Sequence, residues 1–255
     1  MPPSPSSIRV NGAANTVQIA SNPPHHLQGV ESLASIKRYR RDQEICGEAC
    51  PAVYWFRVIS GGARQCLTRA DGRRQIVELL LPGDFFGFGL HGKHCFAVEA
   101  VLDRSVVARF PRSLLESLTE LDPRIARALR DAACAAMSRL HALILNLGRT
   151  TAEEKVGHFL VRMADRLAGG HTDKLVLLMS REDIADYLAL SVETVSRSLT
   201  QLRRRGVIRL VGTREIRILD RSALAQGDEE QTPITGALSM AEQPRTVHLV
   251  HSEHC

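Results

Sequence analysis

Two short segments between residues 180 and 206 carry the apolar periodicity of helices. Three apolar residues of the first segment share one helical face: Ile184, Ala185 and Leu188. Ser180 and Asp183 stand at its start with the spacing of a capping box, in which each side chain accepts a hydrogen bond from the other residue's backbone N–H. The pattern therefore predicts a short helix with a defined beginning.

The second segment follows a turn at Leu190 and Ser191, and the serine is a suitable N-cap. Its inward face is apolar: Val195, Leu199 and Leu202. Its outward face is polar: Glu193, Ser196, Arg197 and Thr200. A guanidinium can donate two hydrogen bonds to guanine, and a carboxylate can accept one from cytosine. The outward face therefore predicts a helix that reads DNA bases, although a helical hairpin with an ordinary solvated face has the same pattern.

Two β-rich runs, residues 207–211 and 215–219, come directly afterwards and flank a turn with a glycine, which predicts a hairpin or wing. Residues 149–221 hold 14 Lys and Arg against 10 Asp and Glu, an excess of four positive charges in a chain of formal net charge +5. Phosphate binding requires such a local excess, and basic residues at a helix end also complement its dipole. We predict phosphate contacts at six positions: Ser180, Thr194, Thr200, Arg203, Arg204 and Arg214.

The region from residue 36 to residue 110 alternates short β-rich runs with turn signals. Residues 53–59 form one run, and residues 64–69 are expected to pair with residues 74–81 across an Ala-Asp-Gly turn. Strands and turns at this density predict a compact antiparallel roll or barrel.

A long helix comes next, because Asp122 is an N-cap, Pro123 takes the first helical position and Gly148 supplies a stop. Its apolar residues recur in steps of three and four: Ile125, Leu129, Ala132, Ala136, Leu140, Leu143 and Leu147. Part of this seam can pack on the roll within one chain, but we predict a coiled coil between two subunits. A twofold pair would hold two reading helices ~34 Å apart, one turn of DNA.

Composition limits the classes to which the chain can belong. Aromatic residues, at 4%, are too few for a protein that stacks single-stranded bases, whereas 44% hydrophobic residues support folded cores. No apolar run approaches ~20 residues and the N-terminus lacks a secretory signal, so we expect a cytoplasmic protein without a membrane span. The sequence contains neither a phosphate-binding glycine loop nor a nucleophile elbow, and we predict no enzyme activity, no cofactor and no metal.

These patterns predict an α+β protein in five parts. Residues 1–26 are a disordered arm, 27–111 a β-roll, 112–148 a dimerisation helix, 149–221 a winged helix-turn-helix and 222–255 a disordered tail. The expected partners are double-stranded DNA and a second copy of the chain.

Roll, long helix and winged helix-turn-helix in this order resemble the Crp/Fnr regulators, in which the roll is a cyclic-nucleotide-binding fold, over roughly residues 30 to 221. The most specific match is Glu193-Thr-Val-Ser-Arg197, which is similar to the family's E-x-x-S-R reading motif. The resemblance implies that Arg197 contacts a guanine and Glu193 a cytosine of a TTGA half-site, beside Ser196. It also implies that Val192 meets a thymine methyl group.

Three stretches of the roll resemble the FixK branch: Glu44-Ile-Cys-Gly-Glu48, Asp71-Gly-Arg-Arg-Gln-Ile76 and Leu81-Pro-Gly-Asp-Phe-Phe-Gly-Phe88. That branch activates nitrogen-fixation, microaerobic and denitrification genes. The resemblance implies a homodimeric activator that binds a TTGA-N6-TCAA-like palindrome and recruits RNA polymerase. Repression at some promoters stays open, since the sign of regulation depends on operator position.

The sequence differs from the cyclic-AMP-binding and the oxygen-sensing members of the family at the residues that would hold their effectors. Cyclic-AMP binders of the family carry an Arg-Ser pair where this chain has His94 and Cys95, so we predict no binding of cyclic nucleotide. Oxygen-sensing members carry clustered N-terminal cysteines, which are absent here. Four thiols are either possible redox or Fe–S ligands or ordinary buried cysteines: Cys46, Cys50, Cys66 and Cys95. The alternative hypothesis is therefore a redox-, Fe–S- or haem-gated sensor of the same family.

Overall fold

The computed structural model describes four stretches of the chain: residues 30–89, 91–168, 174–212 and 214–225. The prediction of a disordered arm over residues 1–26, and that of a disordered tail from residue 226 onward, lie outside the described residues.

The N-terminal half of the described chain folds into an antiparallel roll. Its strands are β1 (Ser35–Tyr39), β2 (Glu44–Cys46), β3 (Tyr54–Ser60), β4 (Ala63–Thr68), β5 (Arg74–Leu80), β6 (Phe85–Phe86), β7 (Ala97–Ala100) and β8 (Ser105–Pro111). One sheet has the order β1-β8-β3-β6 and the other the order β2-β7-β4-β5. Apolar side chains from both sheets, Phe56, Leu80 and Val107 among them, fill the space within the roll. The predicted roll is confirmed.

The predicted β4–β5 hairpin is present, with a register shift between Gln65 and Cys66. Ala63 pairs with Leu80, and Thr68 pairs with Arg74. Gly72 in the connecting turn has a φ of 79°, a conformation that costs a glycine little because it has no Cβ. The outer side of this hairpin lies against the C-terminal half of the chain, so the hairpin links the two halves of the molecule.

The segment predicted as one dimerisation helix, residues 112–148, is two helices, α1 (Arg112–Leu121) and α2 (Pro123–Leu147). Asp122 separates them in extended backbone, because a residue before proline is sterically excluded from the helical region. The Asp122 carboxylate accepts a hydrogen bond from the Arg124 N–H at 2.8 Å and caps α2 as predicted. Neither α2, with 25 residues, nor another helix in the described stretches is long and apolar enough to cross a membrane.

The C-terminal half is a winged helix-turn-helix. Its elements are α3 (Ala152–Ala168), β9 (Lys174–Val176), α4 (Arg181–Leu188), α5 (Val192–Arg204), β10 (Ile208–Val211), β11 (Glu215–Ile218) and α6 (Arg221–Ala225). The predicted wing hairpin is confirmed as β10 and β11, and β9 adds a third strand that the sequence did not predict.

Helix α6 corrects the predicted start of the tail at residue 222. Leu224 is buried against α3, where the bare backbone of Gly157 lets it approach closely. The folded winged helix-turn-helix unit therefore extends at least to Ala225.

One hydrophobic cluster joins the two halves of the molecule. It contains Ile76 and Leu79 of the β4–β5 hairpin together with Phe159 of α3, Leu188 of α4 and Val195 of α5. The hairpin and the helix-turn-helix consequently share a core rather than meeting only through solvated surfaces.

Candidate nucleic-acid interface

Helix α4, the first helix of the helix-turn-helix, begins and ends as the sequence predicts. The Ser180 hydroxyl accepts from the Asp183 N–H at 3.1 Å, and Asp183 Oδ2 accepts from the Ser180 N–H at 3.0 Å, which completes the capping box. Ala189 ends the helix with a φ of 53°, in the left-handed region typical of helix C-termini. The predicted inward face of Ile184, Ala185 and Leu188 is buried.

Three residues separate α4 from helix α5, the predicted reading helix. The Ser191 hydroxyl accepts from the Thr194 N–H at 3.1 Å, so the predicted N-cap is confirmed. Val195, Leu199 and Leu202 are at most 2% exposed. Burial of this apolar face fixes which side of α5 looks outward.

The predicted base-reading side chains project into solvent from the first two turns of α5. Glu193, Ser196 and Arg197 are exposed, and Val192 retains 39% of its surface. Arg197 Nη2 lies 3.6 Å from Glu193 Oε2, with both side chains 82% exposed. Such a solvated ion pair contributes little stability. Both groups are therefore free to exchange it for hydrogen bonds to base edges.

Hydroxyl groups of the predicted phosphate-binding set are engaged within the protein. The Ser180 hydroxyl accepts from Asp183 N–H and donates to Asp183 Oδ2 at 3.1 Å, and the Thr200 hydroxyl donates to the Ser196 carbonyl at 2.9 Å. A phosphate oxygen needs a free donor. The Ser180 and Thr200 hydroxyls therefore already have partners within the protein, and their phosphate contacts stay predictions. The Thr194 hydroxyl lies 2.8 Å from the Ser191 hydroxyl, and its phosphate contact stays a prediction.

The arginines predicted to contact phosphates are exposed. Arg203 and Arg204 are exposed in the last turn of α5, and Arg214 is exposed beside the wing turn. Arg205, the next residue of the arginine run, is paired with Glu153 of α3. Of the three arginines at the end of α5, Arg203 and Arg204 are therefore the candidates for phosphate contacts.

Sequence reasoning missed a pair of wing arginines. Arg209 and Arg217 are exposed and lie directly opposite each other on β10 and β11, and Glu215 Oε1 lies 3.7 Å from Arg217 Nε. Like charges in opposed positions cost stability, which favours a role outside folding. The available signal was their alternation with the buried residues Ile208 and Ile216.

Two family descriptions match the chain: a Crp-like helix-turn-helix domain over residues 154–226 and a cyclic nucleotide-binding domain over residues 36–122. The nitrogen fixation regulation protein FixK of Azorhizobium caulinodans is 41% identical over 204 residues, 79% of this chain and 82% of that protein. The transcriptional activatory protein AadR of Rhodopseudomonas palustris is 38% identical over 77% of this chain and 82% of that protein.

The chain is a FixK-like member of the Crp/Fnr family. A solved structure, FixK2 from Bradyrhizobium japonicum, is 41% identical and covers 75% of this chain and 95% of its own, with a TM-score of 0.70. The matched relatives are regulators of transcription, not enzymes, and the FixK-like chain carries the family's DNA-binding helix-turn-helix.

The predicted dimer seam of this FixK-like regulator is largely covered by its own chain. Ile125 and Leu129 pack on the roll beside Phe110, with Ala132 at the edge of that cluster. Leu143, 8% exposed, faces α3. Ile125, Leu129 and Leu143 are thus covered within one chain, whereas Ala132 is partly exposed, and the assignment of these residues to a dimer interface stays a prediction.

A different apolar stripe on α2 is open in the single chain. Met137, Leu140 and Ile144 are 56%, 38% and 65% exposed, and their spacing of i, i+3 and i+7 places them on one helical face. Leu140 belongs to the predicted seam, and Ala136 and Leu147, also of that seam, are partly exposed. The exposed part of the predicted seam therefore lies in the C-terminal half of α2, where a dimer contact stays a prediction.

The four cysteines considered as redox or Fe–S ligands fall into two classes. Cys46 and Cys66 are buried in the roll; burial and nearby Glu44 raise the pKa of the Cys46 thiol to about 12, and burial and Glu99 raise the pKa of the Cys66 thiol to about 11. Cys50 and Cys95 are exposed. Metal ligation and redox reactivity need a thiolate, which a raised pKa disfavours. The described residues contain no group of three or more side chains arranged to hold a metal.

The family resemblance places His94 where the cyclic-AMP binders have arginine. It is 6% exposed, and burial together with the nearby Arg112 lowers its pKa, so the imidazole is neutral at pH 7. Its ring centroid is 6.0 Å from that of Phe56, and the adjacent Cys95 is exposed. A neutral, buried imidazole cannot replace the bidentate, charged fork of an arginine toward a phosphate.

Proposed function

We propose that this FixK-like regulator is a homodimeric transcription activator that binds a TTGA-N6-TCAA-like palindrome in double-stranded DNA. The observation that carries the proposal is the solvated face of α5, on which Glu193, Ser196 and Arg197 stand free of the rest of the protein. The guanidinium and the carboxylate match the guanine and cytosine of such a half-site. Arg203, Arg204 and the wing arginines supply charge for the flanking phosphates.

The dimer is proposed to form through the exposed α2 stripe of Met137, Leu140 and Ile144. Apolar residues at this helical spacing gain by excluding water against an equivalent face, and a twofold axis there would pair two reading helices with two half-sites. Surface patches of the bound dimer would recruit RNA polymerase.

Its proposed targets are nitrogen-fixation, microaerobic and denitrification genes. Relatives that carry the name nitrogen fixation regulation protein FixK come from Azorhizobium caulinodans and Rhizobium meliloti, at 41% and 34% identity. The chain covers 82% and 93% of these proteins, so the similarity extends through roll and helix-turn-helix alike.

DNA binding is proposed to need no cyclic nucleotide. The neutral His94 and the exposed Cys95 leave the phosphate of such a ligand without the paired donors that its burial demands. The raised pKa values of the buried Cys46 and Cys66 disfavour these two thiols as the ligands or redox groups of the gated alternative.

The test is a fluorescence anisotropy titration of the full chain against a labelled TTGA-N6-TCAA duplex, with a half-site-scrambled duplex as control. Titrations are run anaerobically and in air, with and without cyclic AMP, and a visible spectrum is recorded on the same sample. Specific binding by colourless protein, unchanged by air or cyclic AMP, is the expected result. Binding that requires a chromophore, reduced thiols or the nucleotide would establish a gated sensor instead.

A further inference from the structure

The carboxylate of Asp183 serves two parts of the molecule. Besides closing the capping box of α4 through Oδ2, it accepts through Oδ1 from Arg64 Nη1 at 2.8 Å and from Arg74 Nη2 at 3.0 Å. Both arginines belong to the β4–β5 hairpin of the roll. Asp183 is 1% exposed, so these bonds form out of contact with bulk water.

Arg64 is held in place by its own roll. Its Nε and Nη2 donate to Glu99 Oε2 at 3.0 and 2.7 Å, and Nη2 also donates to Asp42 Oδ1 at 2.7 Å. With the side chain only 4% exposed and one edge of the guanidinium committed to these carboxylates, Nη1 is directed at α4. A planar, rigid donor group of this kind fixes direction as well as distance.

Asp186, one turn further along α4, provides a second carboxylate that binds the β4–β5 hairpin. Arg74 Nε donates to Asp186 Oδ2 at 2.8 Å, and Gln75 Nε2 donates to the Asp186 carbonyl at 2.5 Å. Asp183 and Asp186 share a face of α4 because three positions separate them. Two points on one face define the rotation of the helix as well as its position.

The helices before α4 are tied to the same hairpin. Arg166 of α3 donates to the Leu79 carbonyl at 3.0 Å and pairs with Asp84, while Arg139 of α2 donates to Glu78 Oε1 at 2.6 Å. Packing of α4 on α5 through the shared core, which includes Leu188 and Val195, carries this constraint to the reading helix.

We propose that Asp183 is a positioning residue through which the roll sets the orientation of the reading helix α5 in the absence of an effector. The inference rests on the proposed function, because orientation matters only if two reading helices must meet two half-sites. Buried ion pairs add little net stability over apolar contacts, whereas their directional bonds suit the selection of one orientation. The contacts of the hairpin thus fix the orientation of α5 without a ligand, whereas a ligand-dependent regulator would need ligand binding to fix it.

The test compares Arg74→Ala, Arg64→Gln and Asp183→Asn with Arg73→Ala in the full chain. Arg73 is the neighbour of Arg74 in the same hairpin, but its partner is Asp71 within the turn. Arg74 is partly exposed, so its replacement is expected to leave the protein folded, and Asp183→Asn keeps an oxygen for the cap while removing the charge. Thermal melting of each variant verifies folding.

The readout is the affinity for TTGA-N6-TCAA and for the same duplex with an N7 spacer, which rotates one half-site by about 35° relative to the other. The three test variants are expected to lose at least fivefold in affinity for the N6 duplex and to discriminate less between N6 and N7, while Arg73→Ala stays within twofold of the parent. A purely structural loss would lower both affinities equally and leave their ratio unchanged. That result, or affinities unchanged in all variants, would overturn the proposal.

Small-angle X-ray scattering on the same samples tests the contact without DNA. Release of the helix-turn-helix from the roll is expected to broaden the pair-distance distribution in the three test variants and not in Arg73→Ala. If the parent protein ignores the palindrome but the distribution broadens, the proposed function fails and the positioning contact stands. An unchanged distribution in every variant counts against the positioning role itself.

Discussion

Arg64 of the roll donates through Nη1 to Asp183 Oδ1 at 2.8 Å, although 119 positions of sequence separate the two residues. Their side chains are 4% and 2% exposed. Asp183 is at the same time the N3 residue of a capping box, a role that depends only on its neighbours. One carboxylate therefore joins a local helix signal to a contact between the two halves of the fold.

This double role predicts that Asp183→Ala is far more destabilising than loss of a helix cap alone. Removing one member of a buried ion pair costs about 3–5 kcal/mol, because the remaining charge is left without compensation. Ser191→Ala, which removes the cap of α5 and no ion pair, should cost about 1 kcal/mol. Urea unfolding followed by circular dichroism at one protein concentration measures both, and equal losses would contradict the account.

Arg197→Ala should weaken binding to the palindrome by about 1–3 kcal/mol, the contribution of a bidentate arginine–guanine contact. Binding to the scrambled duplex should change much less, so specificity is lost. Arg130→Ala is the matched control, since Arg130 is an exposed arginine of α2 whose partner is its neighbour Asp131. A palindrome affinity that survives Arg197→Ala would remove Arg197 from the reading set.

Arg204→Ala, unlike Arg197→Ala, should weaken DNA binding without changing sequence specificity. An arginine that contacts phosphate weakens binding to all sequences alike and lowers the slope of log affinity against log salt by about 1. Titrations at several salt concentrations, on the palindromic and the scrambled duplex, measure this directly. If the variant instead changes the preference between the two duplexes, Arg204 reads bases and its assignment is wrong.

Ile144→Asp should convert the proposed dimer to monomers, because it places a charge in the exposed α2 stripe. Leu121→Asp is the control: Leu121 is even more exposed, at 79%, but lies at the end of α1, outside the stripe. Sedimentation velocity reports the masses of both variants. A dimer that persists in Ile144→Asp would place the subunit contact elsewhere.

The buried thiols predict a fall in stability at alkaline pH. The pKa values of Cys46 and Cys66 are raised to about 12 and about 11 in the folded protein, so between pH 9 and 11 the thiols of the unfolded chain ionise first. The unfolded state then binds fewer protons, and the free energy of unfolding decreases as pH rises, by up to about 1.4 kcal/mol per pH unit for each thiol.

Replacing both Cys46 and Cys66 by alanine should flatten this dependence, whereas replacing the exposed Cys134 should not. Chemical unfolding at pH 8, 9, 10 and 11 provides the comparison. A slope that is the same in the double variant and the parent would show that other groups cause it.

Local features of the DNA-binding half were predictable from the sequence because their causes are local. The caps at Ser180 and Ser191 act within three residues, and the alternation of Val195, Leu199 and Leu202 with polar residues reflects the helical period alone. The β4–β5 hairpin was predictable in the same way, from a turn between two β-rich runs. The short strand β9 was not, since three residues carry too little periodicity to mark a strand.

The seam of α2 shows the limit of such patterns. The sequence by itself determined that Ile125, Leu129, Leu140 and Leu143 form an apolar stripe that favours burial, because exposing apolar side chains to water is unfavourable. Only the tertiary structure decided what covers them: the roll takes Ile125 and Leu129, α3 takes Leu143, and Leu140 stays open beside Met137 and Ile144. An apolar pattern does not specify which surface will cover it, because the hydrophobic effect is not directional. An ion pair between distant residues such as Arg64 and Asp183 leaves no periodic pattern in the sequence. Both features are therefore decided only when segments that are distant in sequence pack together.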